Sequence, residues 1–120
     1  MHEAHIPYKL PSYNDYTSAN RANHYKGAKL KRDTQKLIMP FLRGLPKFTK
    51  PVIITFTWLE GNKRRDLDNI CSAKKEVIDS LVKCGKLIDD SYKYVKGFTD
   101  KFEYGSDWGV TVGIMEIEEV

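Results

Sequence analysis

The sequence predicts one α/β (α+β) domain over residues 1–120, built from a small mixed β-sheet and two main helices. The chain has 120 residues, of which 41% are apolar, and this suffices for a single core without disulfides or metals. Two stretches carry apolar residues at intervals of three and four, and shorter stretches are β-branched and aromatic. In chain order they predict roughly β-α-β-α-β-β.

The first half of the chain predicts an irregular entry followed by a long helix. Residues 6–16, rich in Pro, Ser and Asn, are typical of irregular structure or a short strand. Residues 19–45 carry a helical apolar pattern, which we expect Pro40 to kink or end near Met39. The pattern consists of Leu30, Thr34, Leu37, Ile38, Phe41, Leu42 and Leu45.

The second half predicts a buried strand, a second helix and two further strands. Residues 51–59 are β-branched and aromatic, as in a buried strand. A helix is expected over 69–84, with Gly85 as the residue that ends it. Its apolar stripe consists of Ile70, Ala73, Val77 and Leu81. Residues 92–99 and 108–117 predict the last two strands.

Cysteine usage and hydropathy indicate a soluble, cytoplasmic protein in a reducing compartment. Cys71 and Cys84 would lie about 20 Å apart on one helix, too far for a disulfide. The N-terminus has no cationic segment followed by an apolar run, and no stretch approaches the ~18 apolar residues of a membrane span. We therefore expect no membrane partner.

The charge is divided unevenly along the chain. Residues 1–65 contain 13 Lys and Arg against 4 Asp and Glu, whereas residues 66–120 contain 7 against 12. A basic half of this kind is typical of a polyanion-binding surface. A solvated helix face has the same composition, so charge alone leaves both interpretations open.

The stretch KRRDLDN, residues 63–69, places two carboxylates at the edge of a basic cluster. Extended residues at i and i+2 point the same way, so Asp66 and Asp68 can face one point before the second helix. Such carboxylates hold Mg²⁺ together with water and phosphate oxygens. Alternatively, Asp68 or Asn69 caps the helix and Asp66 is the counter-ion of the preceding arginines. A DxD also holds the metal of glycosyltransferases, an alternative weakened by the lack of a nucleotide-binding glycine loop.

A second acidic pair, Asp89 and Asp90, follows the second helix. Adjacent aspartates before a strand are either turn residues or further metal ligands. Because a helix over 69–84 would be about 24 Å long, Asp90 reaches the DLD end only if residues 85–90 run back nearly extended along it. Otherwise Asp90 serves another subunit's site or none.

The segment RRDLDN, the helix ending IDSLVKCG and the LIDD that follows together resemble the signature of the RusA family of Holliday-junction resolvases (crossover junction endodeoxyribonucleases). The N-terminal PSYN and the length are similar as well, so the resemblance covers nearly the whole chain. It implies a Mg²⁺-dependent endonuclease, with Mn²⁺ able to substitute, that nicks two opposed strands of a four-way DNA junction as a homodimer. It also implies a role in recombination, repair or phage DNA processing in a bacterial host cell, including for prophage-encoded members.

Carried over by position, the resemblance assigns the carboxylates and one lysine. The essential metal-binding and catalytic carboxylates would be Asp66, Asp68 and Asp90, with Asp89 as an auxiliary metal ligand. Counted back from IDSL, the family's catalytic lysine falls on Lys75.

The lysine assignment depends on how the chain is counted. Counted forward from DLDN the position is Ser72, because this chain has about three extra residues, just under one helical turn. The helical face is then roughly kept, and we take Lys75, with Lys74 as the rival. On the pattern alone, either side chain could also be an ordinary exposed lysine.

Phosphate contacts by the basic half would hold the junction arms. The predicted DNA-binding residues are Lys63, Arg64, Arg65, Lys74, Arg21, Lys29 and Arg32. Tyr16, Tyr25 and Trp58 are candidates for stacking on bases, although core packing explains Trp58 better. A C₂ dimer would present two equivalent sites to two equivalent strands, with the apolar stripes of both helices as candidate interfaces.

Two further functions stay open on the sequence. The first is a non-catalytic, structure-selective DNA-binding protein whose aspartates are helix caps and counter-ions. The second is a nuclease with the same site that acts on flaps or replication forks.

Overall fold

Four strands and four helical segments follow one another in the computed structural model, which describes residues 1–118. Their bounds are β1 His2–Ile6, α1 Tyr13–Ala22, α2 His24–Leu42, β2 Val52–Glu60, α3 Leu67–Cys71, α4 Lys74–Lys83, β3 Val95–Tyr104 and β4 Gly109–Glu116.

One mixed sheet contains all four strands in the order β1-β4-β2-β3. β2 and β3 run parallel, whereas β4 pairs antiparallel with both β1 and β2. A parallel pair needs a crossover, which α3 and α4 supply. The predicted mixed α/β class, with helices and strands in that coarse order, is therefore confirmed.

The core lies between one face of the sheet and the helices. Burial alternates along β2, whose even-numbered residues are buried and whose odd-numbered residues are half-buried. The core side chains of the sheet centre are Ile54, Phe56, Trp58, Val110, Val112 and Ile114. α2 adds Ile38 and Leu42, and α4 adds Val77 and Leu81. Trp58 is only 2% exposed, as core packing predicted.

The N-terminal region is more regular than the irregular entry expected over 6–16. β1 begins at His2, and α1 begins at Tyr13, inside that range. Ser12 caps α1, because its Oγ accepts from the Asp15 N–H at 3.3 Å while its own N–H donates to the Asp15 carboxylate at 2.7 Å. This reciprocal capping box is the local reason that the helix starts early.

The helix expected over 19–45 is two helices that meet at Asn23. Asn23 is extended and caps α2, with its Oδ1 accepting from the Lys26 N–H at 2.8 Å. Pro40 was expected to kink or end the helix; the end near Met39 is wrong, because α2 continues through Pro40 to Leu42. Pro40 lies in the last turn with its ring exposed, so it removes only one helical hydrogen bond.

The helix expected over 69–84 is also divided. α3 begins at Leu67 and α4 begins at Lys74, with Ser72 and Ala73 between them. Both joining residues keep right-handed helical dihedrals, with φ of −63° and −68°. The chain therefore keeps winding in the same sense across the interruption.

Gly85 ends α4, as predicted, and reverses the chain. Its φ is +74°, and the Lys86 N–H donates to the Leu81 carbonyl at 2.9 Å. The Gly85 N–H donates to the Val82 carbonyl at 3.0 Å, which completes a Schellman motif. Leu87, 3% exposed, anchors the segment that leaves the turn.

Both cysteines, Cys71 and Cys84, are free thiols. Desolvation raises the pKa of Cys71, with the charge of Asp100 acting in the same direction. Among residues 1–118, no helix combines the length and the apolar character needed to cross a membrane.

Replacing Gly85 with alanine should lower the free energy of unfolding by about 1 kcal/mol, because a Cβ disfavours positive φ. Gly44→Ala is the matched control, since Gly44 lacks a positive φ and a Cβ there meets nothing within 4 Å. Urea denaturation of both variants measures the difference. Equal stability of the two variants would contradict the left-handed turn at Gly85.

Candidate functional site

The segment after Gly85 brings Asp90 back to the beginning of α4. Asp90 Oδ2 lies 3.7 Å from Nζ of Lys75, the second residue of that helix. The chain therefore returns Asp90 along α4 as far as Lys75 within its own subunit. Lys75 also donates to Asp79 at 3.1 Å, and this hydrogen bond, reinforced by the charges of Asp79 and Asp90, raises the pKa of Lys75. Lys75 is thus a cation at neutral pH.

Asp89 shapes the turn that presents Asp90. Its carboxylate accepts from the Asp90 N–H at 2.9 Å, and this bond, together with Ser91, lowers the pKa of Asp89. The carboxylate predicted as an auxiliary ligand is therefore already engaged by the local turn, while Asp90 faces Lys75.

Asp66 and Asp68 are exposed at the beginning of α3. Asp66 occupies the N-cap position, but its side chain makes no capping hydrogen bond. Within residues 1–118 neither carboxylate has a hydrogen bond or an ion pair, and Arg65 pairs with Glu60 instead. In this structure the two aspartates are therefore neither working caps nor counter-ions of Arg65, and both are open to a ligand.

Asp68, Ser72 and Lys75 follow one face of α3 and α4. Because the joining residues keep helical dihedrals, spacings of four and seven bring these side chains to the same side. Lys75 follows Asp68 by about 10 Å along the helix axis. One face thus presents an unpaired carboxylate and, farther along, the contact between Lys75 and Asp90.

The donors on this face suit a hard cation such as Mg²⁺ or Mn²⁺. Asp66, Asp68 and Asp90 all offer exposed carboxylate oxygens, the ligands that Mg²⁺ takes together with water and phosphate. Over residues 1–118, no three His, Cys, Asp or Glu side chains are already gathered around one point. A bound ion would accordingly complete its shell with water and substrate oxygens, as Mg²⁺ usually does.

Lys74 has a different set of partners from Lys75. Its Nζ lies 2.6 Å from the Asp100 carboxylate and 4.8 Å from the centre of the Phe98 ring. Asp100 also accepts from the Trp58 indole N–H at 2.9 Å. Only 19% of the Lys74 side chain is exposed, so this lysine joins α4 to the sheet while Lys75 faces Asp90.

Arg65 is built into the fold. Its guanidinium binds both carboxylate oxygens of Glu60, at 2.8 and 2.7 Å, and the Leu10 carbonyl at 2.9 Å. The Glu60 side chain is only 2% exposed, so this pair is largely removed from water. The predicted DNA contact of Arg65 would therefore have to share a guanidinium that is already engaged in three hydrogen bonds.

The other predicted DNA-binding residues lie at the surface. Arg64 is exposed, and Nζ of Lys63 lies 5.4 Å from the centre of the Tyr104 ring. Arg21, Lys29 and Arg32 are also exposed, on α1 and α2. Lys29 pairs with Asp33 at 2.9 Å, an exposed i,i+4 contact that a phosphate can replace at little cost.

Sequence reasoning missed three groups beside this site: Glu60, Glu76 and Asp100. Each is a carboxylate on a mostly apolar face, and such a break in the pattern is the signal that could have found it. Of the tyrosines proposed for stacking, Tyr16 is half-buried, whereas Tyr25 is 75% exposed with its ring 4.3 Å from that of His24.

Comparison with protein-family models and with curated proteins finds no match to this chain.

Replacing Arg65 with alanine should lower the free energy of unfolding by about 3 kcal/mol, because Glu60 would keep a buried charge without a partner. The neighbouring Arg64→Ala should cost less than about 0.5 kcal/mol, since that side chain is exposed. Chemical denaturation of the two variants provides the comparison. A small loss for Arg65→Ala would show that the pair does not stabilise the fold.

Proposed function

We propose that the protein is a Mg²⁺-dependent endonuclease that resolves four-way DNA junctions by paired, symmetric nicking, as the resemblance to the RusA family implies. The observation that carries the proposal is the face of α3 and α4 on which the unpaired carboxylate of Asp68 precedes the contact between Lys75 and Asp90, with Asp66 exposed just before α3. Asp66 and Asp68 make neither a capping hydrogen bond nor an ion pair within residues 1–118, so both are available to a ligand.

Phosphodiester hydrolysis assigns distinct work to these side chains. Asp66, Asp68 and Asp90 would hold the metal, which when bound supplies hydroxide at neutral pH and neutralises charge on the phosphate. Because its pKa is raised, Lys75 remains protonated and stabilises charge that develops on a phosphate oxygen. Asp79 and Asp90 hold its ammonium group in place from two sides.

DNA binding would rest on the exposed cations around the site. Lys63 and Arg64 flank the carboxylates, and Arg21, Lys29 and Arg32 extend the positive surface along α1 and α2. Contacts of this kind position the duplex arms without reading sequence, and their strength falls steeply with salt.

A homodimer fits the substrate, because a four-way junction has two equivalent strands to cut and a C₂ pair offers two equivalent sites. The matching cellular setting is the cytoplasm of a bacterial host, in recombination, repair or the processing of phage or prophage DNA.

Replacing Asp68 with asparagine should abolish nicking of a synthetic four-way junction in Mg²⁺, while junction binding stays within a few-fold of wild type. The free energy of unfolding should change by less than about 0.5 kcal/mol, because the carboxylate has no partner to lose. Glu103→Gln, on β3, is the control for an exposed carboxylate outside the site, and it should cleave normally.

The same assay separates the competing functions. EDTA should stop all nicking, and a linear duplex should be resistant. Tight junction binding with no nicks under any divalent ion would show that the protein is a non-catalytic DNA-binding protein. Faster cutting of flaps or forks than of four-way junctions would show that the protein is a nuclease that prefers those other branched DNAs.

Lys75→Ala should slow nicking by about 100-fold or more at saturating junction, the loss expected when one group that stabilises the transition state is removed. Its stability should change by less than about 1 kcal/mol, because the ion pairs of Lys75 are exposed. Lys74→Ala is the matched variant, and it should instead reduce stability by breaking the half-buried pair with Asp100. The opposite pattern would make Lys74 the catalytic lysine.

A further inference from the structure

A groove of about 430 Å³ opens between α1, α2 and the beginning of α4, directly beside Lys75. Its sides include the aromatic rings of Tyr13, Tyr16 and His24, and Ser72 and Lys75 line it on the α3–α4 side. The groove therefore shares one wall with the face that carries Asp68 and the Lys75–Asp90 contact. A volume of this size lies in the range of pockets that hold small molecules.

Buried polar groups with incomplete hydrogen bonding lie beneath the surface of the groove. The Tyr16 hydroxyl is buried near Thr34 and Glu76, yet it makes no hydrogen bond of normal geometry to any group in residues 1–118. Burial raises the pKa of Tyr16 to about 12, so this hydroxyl stays protonated and can donate. Glu76 is 4% exposed, and among residues 1–118 its carboxylate accepts a single hydrogen bond, a long one of 3.4 Å from the Gln35 amide. Buried polar groups normally have hydrogen-bond partners, so the incomplete bonding of Tyr16 and Glu76 is unusual.

Gly27 keeps the groove in its present shape. A Cβ at Gly27 would lie 1.6 Å from Oδ1 of Asn20. The Asn20 side chain, which α1 contributes, therefore occupies the space that a larger residue at position 27 would need. Gly27 is the fourth residue of α2, and the close approach of α1 at this point explains why a residue without a Cβ stands there.

We infer that this groove receives a single unstacked nucleobase of the DNA substrate, an inference that rests on the proposed function. The aromatic rings that line the groove provide surfaces on which a base can stack. Lys31 and Lys75 supply positive charge at the rim for the adjoining phosphates. Unstacking costs the least free energy for bases at a crossover, because their stacking is already interrupted.

The position of Lys75 explains why the base would belong to the nucleotide being cut or to its neighbour. Lys75 lines the groove and also contacts Asp90, so a phosphate at this lysine would have its own base within reach of the aromatic rings. The groove would then fix the junction relative to the carboxylates, which makes Tyr13 and Tyr16 positioning residues.

The test combines abasic DNA with groove variants. Four-way junctions that each lack one base near the crossover are bound to Asp68→Asn protein, so that cleavage does not interfere. At one position the missing base should weaken binding about 10-fold, which corresponds to the stacking of one base. In a second protein that also carries Tyr13→Leu, the same abasic junction and the intact junction should bind equally.

Tyr8→Leu is the matched control, because Tyr8 is an exposed tyrosine between β1 and α1 that does not line the groove. It should keep the full response to the abasic position.

If the two proteins, with and without Tyr13→Leu, respond alike at every abasic position, the groove does not hold a base and the inference is overturned. Nicking of intact junctions by wild-type protein is measured separately. If wild-type protein nicks intact junctions but a missing base never weakens binding, base binding in the groove is overturned and the proposed function stands. If a missing base weakens binding but no junction is nicked, the proposed function is overturned and base binding stands.

Discussion

The arrangement around the site depends on the buried ion pair between Arg65 and Glu60. Glu60 ends β2, Arg65 lies just before α3, and the same guanidinium holds the Leu10 carbonyl ahead of α1. One planar group therefore fixes three parts of the chain at the point where the central strand gives way to the crossover. A lysine could not do this, because it lacks the forked donors that bind a carboxylate through two oxygens.

With Arg65 directed inward, the residue that follows it must face outward. Asp66 continues the chain with extended dihedrals, and α3 starts immediately, so the carboxylates of Asp66 and Asp68 remain at the surface. The other part of the site depends on a different device, the left-handed turn at Gly85, which returns Asp90 to Lys75. The Arg65–Glu60 ion pair and the turn at Gly85 are independent of each other, yet both position residues on the face of α3 and α4.

Features with a local cause could be predicted from the sequence. The alternating apolar residues of β2, the glycine that ends α4 and the core position of Trp58 all follow from their immediate neighbours in the chain. The break at Asn23 and the early start of α1 at Ser12 were missed, because each depends on one side chain that caps a helix. Ion pairs between residues far apart in the chain, such as Lys74 with Asp100, could not be predicted from the sequence, because the apolar pattern does not say which strand lies beside α4.

Under the proposed function, the distribution of charge would make DNA binding and DNA cutting separate properties of one surface. Unpaired carboxylates repel phosphate, whereas the exposed cations of α1 and α2 attract it. Under the proposed function, the arms of a junction would therefore be held while the phosphate to be cut is kept away from Asp66 and Asp68. A divalent cation reverses the local charge, and by linkage the phosphate must favour the cation as much as the cation favours the phosphate. Lys75 contributes without a metal, because Asp79 and Asp90 already hold its positive charge where that phosphate would arrive.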